Sequence, residues 1–76
     1  MVSLAFISFL KKNGFVKVEV NSYSNPLGTN VVIDNDEVQV ANSYGEILYC
    51  SENFYSIIGY LFFHKLILQN YKIIPI

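Results

Sequence analysis

The chain predicts an α+β fold: an N-terminal helix, a four-stranded antiparallel meander, and a long C-terminal helix packed on one sheet face. Three observations predict it. Apolar residues recur at helical spacing near both ends, whereas the middle alternates apolar and polar residues as strands do. These strands are joined mostly by short turns, and a parallel crossover needs a dozen residues or more. Helices covering one face of an antiparallel sheet complete the arrangement. The 76 residues are read as one domain, residues 1–76, near the lower size at which one core suffices.

Ser3 to Asn13 reads as the first helix, with Val2, Phe6, Phe9 and Leu10 clustered on one side. Lys11 and Lys12 suit the negative end of its dipole, and Gly14 suits the position just past a helix end. Phe15 to Val20 alternates, with Val16, Val18 and Val20 on one side and Phe15, Lys17 and Glu19 on the other, as in a half-buried strand. Asn21 to Gly28 reads as a projecting loop. Thr29 to Asp34, Glu37 to Ala41 and Glu46 to Cys50 supply the remaining strands. Asp34-Asn35-Asp36 and Asn42-Ser43-Tyr44-Gly45 form the turns between them.

Ser51 to Leu68 reads as the long helix, capped by Ser51, with Glu52 favourably placed in its first turn. Phe54, Ile57, Ile58, Leu61 and Leu68 recur on one side, and Tyr60, Phe63, Leu66 and Ile67 lie on the other. A helix apolar nearly all round wants burial on two sides. Tyr71 to Ile76 is read as an extended segment, and Pro75 restricts it to a sheet edge as a short final strand.

Composition narrows the function classes. Hydrophobic residues make up 53% and aromatics 16%, too much for a disordered chain. Net charge is −1 and all five cations are lysines. There is thus no global field for nucleic acid or anionic lipid, and no arginine for bidentate phosphate binding. The apolar first ten residues precede their lysines, which is the wrong order for a signal peptide. Ile57 to Phe63 meets His64 and Lys65 long before about 20 apolar residues accumulate, so no membrane span is expected. Cys50 is the lone cysteine, which favours a reduced, cytoplasmic setting. Phe, Tyr, Met, Ile, Asn and Lys, with AT-rich codons, supply 35 of the 76 residues, a bias that fits a bacterial or phage source.

Candidate chemistry is sparse. His64 has no nucleophile or orienting carboxylate at a telling spacing, and is read as a surface residue. One His and one Cys cannot build a zinc tetrad. Cys50 beside a helix start could gain thiolate character, but it also suits a strand interior. Asp34, Asp36, Glu37 and Glu46 flank two turns; they do not match a calcium loop and read as turn residues or as an acidic patch for a basic partner. Tyr23, Tyr44, Tyr49, Tyr55, Tyr60 and Tyr71 need partners for their hydroxyls, and Tyr23 and Tyr44 fall in loops, where aromatics anchor interfaces.

The expectation is therefore a non-enzymatic protein-interaction module without cofactor or metal, closing as a homodimer or binding another protein. Gly59, Tyr60, Phe63, Leu66 and Ile67 form its expected surface. In a phage setting it would act as an inhibitor of a host protein. The alternative is a single-stranded nucleic-acid binder stacking bases on Tyr beside Lys.

Overall fold

The computed structural model describes residues 4–67. It has a helix α1 (Leu4–Lys12), five strands, and a helix α2 (Phe54–Phe63). The strands are β1 (Val16–Glu19), β2 (Ser22–Ser24), β3 (Asn30–Asp34), β4 (Glu37–Ala41) and β5 (Ile47–Ser51). They form one sheet in chain order, every neighbouring pair antiparallel. The α+β architecture with an antiparallel meander is as expected. The final segment read as an edge strand lies outside the described residues.

The sheet has one more strand than expected. Ser22-Tyr23-Ser24, read as loop, pairs with both β1 and β3. Its alternation is too brief to register, with one apolar residue between two serines, yet Tyr23 is buried and both serines are half-exposed. Tertiary pairing here overrides a composition that favours turns.

The core lies between one sheet face and both helices. Tyr23, Val31 and Val40 form one cross-strand row, and Ile33 and Val38 the next. Phe6, Leu10, Phe15, Ile57, Leu61 and Ile67 close over them in one apolar cluster. The opposite sheet face carries Ser22, Val32, Gln39 and Cys50 in a row, with neither described helix above it. Antiparallel sheets tolerate such one-sided solvation.

Of the two sides of the β1 alternation, the one that begins with Phe15 faces the core. Phe15, immediately before the strand, is 1% exposed, whereas Val16, Val18 and Val20 are 61%, 53% and 77% exposed. Phe15 buries more apolar area than a valine, and with a side-chain period of two its placement decides the face of everything after it. Lys17 therefore shares a row with Tyr23, and the register shift between Lys17 and Glu19 brings Glu19 opposite Ser22. A bulge and a lysine on an edge strand also discourage edge-to-edge pairing.

Both helices end alike. The Phe15 N–H donates to the Leu10 carbonyl at 2.9 Å and the Gly14 N–H to that of Lys11 at 3.5 Å. At the end of α2, Leu66 donates to Leu61 at 2.9 Å and Lys65 to Phe62 at 3.1 Å. This paired pattern places one residue in the left-handed region and an apolar side chain packed on the core just after it. Gly14 (φ 91°) fills that position after α1, but Lys65 (φ 56°) fills it after α2. The second choice costs roughly 1 kcal/mol of backbone strain.

α2 is shorter than the expected Ser51 to Leu68. Ser51 ends β5 instead of capping the helix; its hydroxyl accepts from the Asn53 N–H at 3.0 Å. Asn53 is the N-cap, its Oδ1 accepting from the Tyr55 N–H at 2.9 Å. Glu52 therefore precedes the helix.

Two loops at one end of the sheet share a design. In each, an asparagine Oδ1 accepts from backbone N–H groups two and four residues on: Asn25 from Leu27 and Thr29, Asn42 from Tyr44 and Glu46. In each, a glycine at φ 88° donates back to the asparagine carbonyl. The loops abut: a Cβ on Gly28 would lie 3.0 Å from that of Ser43, and Asn30 Nδ2 donates to the Asn42 carbonyl at 3.2 Å.

Candidate interaction surface

The two sides of α2 differ in what meets them. Ile57 and Leu61 face the sheet and are fully buried, with Phe54, Ile58 and Tyr60 packed at the flanks. On the far side, Tyr55, Gly59, Phe62 and Phe63 follow the i, i+4, i+7, i+8 spacing of a single helical stripe. Tyr55 is 83% exposed, Phe62 44% and Phe63 81%. Among the described residues, nothing lies within 4 Å of where a Cβ on Gly59 would sit.

Neighbouring rings hold this side in place. Phe6 stacks on Phe54 with centroids 4.9 Å apart, and Phe9 meets Phe62 at 5.9 Å, so α1 braces one flank. On the other flank Tyr49 of β5 stacks on Tyr60 at 4.6 Å with planes 3° apart. Tyr60 in turn meets His64 at 4.2 Å, and Phe63 meets His64 edge-on at 5.0 Å. Each such pair contributes about 0.5–1.5 kcal/mol beyond area burial. His64 is thus an exposed ring wedged between aromatics at the helix end.

The structure divides the five residues read from sequence as one surface. Gly59 and Phe63 are exposed on the stripe. Tyr60 and Leu66 are half-buried at the core margin, and Ile67 is in the core itself. The division follows from helix length: the helical phase stops at Phe63, so Leu66 and Ile67 follow the turn instead of the stripe. Tyr55 and Phe62 were missed for the same reason. Counting four back and three on from Gly59 within the shorter helix identifies them.

The acidic residues do not converge either. Asp34, Asp36 and Glu37 surround the turn between β3 and β4, while Glu46 belongs to the next turn. Successive turns of a meander lie at opposite sheet ends, about 16 Å apart for a five-residue strand. Glu46 is also held locally, accepting from Asn42 Nδ2 at 2.8 Å.

Cys50 is exposed on the open sheet face. Its thiol is pushed above the ordinary value, first by hydrogen bonding to Glu37 and second by that carboxylate's charge. A thiolate there would lose the hydrogen bond and be repelled. The contact therefore stabilises the fold while the thiol is protonated and fades as pH rises through the raised value. This environment opposes the electropositive setting of a reactive cysteine. Among the described residues no group of three His, Cys, Asp or Glu side chains is placed to hold a metal ion. Between the helices, Ala5, Phe6, Phe54, Tyr55 and Ile58 line a cleft of about 130 Å³, against the roughly 300–1,000 Å³ of small-molecule sites. No described helix is long and apolar enough to cross a membrane.

Comparison with known proteins finds no family model, no curated protein and no solved structure that matches the chain.

Proposed function

We propose that this chain is a small non-enzymatic protein-interaction module that docks through the outer side of α2. One observation carries the reading: the exposed aromatic stripe of Tyr55, Phe62 and Phe63 around Gly59. Large aromatics lose solvent at low entropic cost, which makes them the usual anchors of protein interfaces. Contiguous exposed apolar surface on a small chain normally marks such a site. The rings bracing α2 present it as a firm ridge, so little ordering entropy opposes docking. A reduced, cytoplasmic setting fits the lone Cys50, and an inhibitor of a host protein fits the compact size and AT-rich residue usage.

Photo-cross-linking in cells tests this, with p-benzoylphenylalanine placed at Tyr55, Phe63 or, as a control, Lys12 on α1. Light-dependent adducts to a protein, whether another chain or a second copy, are expected from the two α2 positions alone. Absence of intermolecular adducts at both α2 positions sinks the reading.

A further inference from the structure

Two residues, one within α2 and one just after it, are locally costly choices that the isolated fold does not explain. Gly59 sits in mid-helix, where alanine would be better by about 1 kcal/mol, although no described residue crowds a Cβ there. Lys65 occupies a left-handed position (φ 56°) that favours glycine. Consistency across levels breaks first where a sequence serves something beyond the monomer's stability.

Resting on the docking reading above, we infer that the partner is a second copy of this chain, its α2 running antiparallel across the first, with the twofold axis at Gly59. The stripe is self-complementary about that residue. Tyr55 lies four positions before it and Phe63 four after, so each ring meets the other kind on the partner copy, as a twofold interface requires. The missing side chain at Gly59 lets the backbones approach at the crossing point. Charge matches as well. α2 itself carries no charged residue, but exposed Glu52 lies seven positions before Gly59 and exposed Lys65 six after. The antiparallel arrangement therefore brings Glu52 of one copy near the Lys65 position of the other, twice, and aligns the helix dipoles favourably.

Size sets the strength. Three partly exposed aromatics supply on the order of 400 Å² per copy, against about 800 Å² per partner in a standard interface. The dimer is weak and reversible, at the low end of the interface size range.

Sedimentation equilibrium of the full chain, from about 10 µM to 1 mM, tests the inference. The wild type should pass from monomer to dimer, and Y55A/F63A should remain monomeric. G59A is the sharpest probe because two readouts move in opposite directions. It should weaken association at least tenfold yet raise the melting temperature of dilute protein by roughly 2–6 °C. E52K alone should weaken pairing two- to fivefold, and E52K/K65E should restore it. A wild type that sediments as a monomer throughout overturns the inference. If it does so while α2 still cross-links to other proteins, only self-pairing falls. If the only links join Phe63 to residues 68–76 of the same chain, the ridge is covered from within and both readings fall. Unchanged association in G59A overturns the crossing point.

Discussion

The loops Asn25–Thr29 and Asn42–Glu46 share one local design but hold very different places in the molecule. Both close on an asparagine oxygen and a glycine at φ 88°. Asn25 and Thr29 are buried, and Asn25 Nδ2 reaches across the fold to the Leu66 carbonyl at 2.8 Å. Asn42 Nδ2 merely meets its neighbour Glu46, in water. The first loop anchors the chain after α2 to the sheet end, and so helps hold α2 in place. The second is a self-contained turn. Identical hydrogen bonds are worth more where water cannot replace them.

That difference orders four substitutions, each read by thermal or urea unfolding. N25A should be the most severe, at about 2–4 kcal/mol, because it strands a buried N–H and leaves the Leu66 carbonyl without its partner. For a domain this small the melting temperature should fall by roughly 10 °C or more. A loss no larger than that of N42A would erase the distinction between the loops. G28A follows at about 2 kcal/mol, combining left-handed strain with the 3.0 Å approach to Ser43. G45A carries the strain without the clash, since nothing lies within 4 Å of its position, and should cost about 1 kcal/mol. Adding S43G to G28A should bring its cost down to the G45A level; failure to do so would show that loop contact plays no part. N42A comes last at about 0.5–1 kcal/mol, with solvent taking over its bonds.

The same division between local and tertiary effects runs through the rest of the chain. α1 was legible because Phe6 and Leu10, its lysines and Gly14 all agree on where it lies and where it stops. β3 and β4 were legible because Val31, Ile33, Val38 and Val40 alternate cleanly and end in sharp turns. β2 was not, because a single tyrosine between serines carries no period. In β1 the period was visible but the side it buries was not: three valines compete with one phenylalanine, and the phenylalanine won the core. On α2 a continuous apolar run concealed the helix end, because no glycine marks it and Lys65 takes the left-handed turn instead. The expected surface therefore included Leu66 and Ile67, which pack at or in the core, and not Tyr55 and Phe62, which are exposed.

By itself, then, the sequence determined the class of fold, the order of most elements, the Asn42–Gly45 turn, and the surplus of apolar surface on α2. These depend on periodicity and backbone chemistry within a few residues. The tertiary structure alone decided which face of β1 is buried, where α2 stops, which of two like loops is a structural anchor, and which aromatics remain outside. Those outcomes turn on competition for one small core, and only the packed chain ranks its competitors by the area each removes from water.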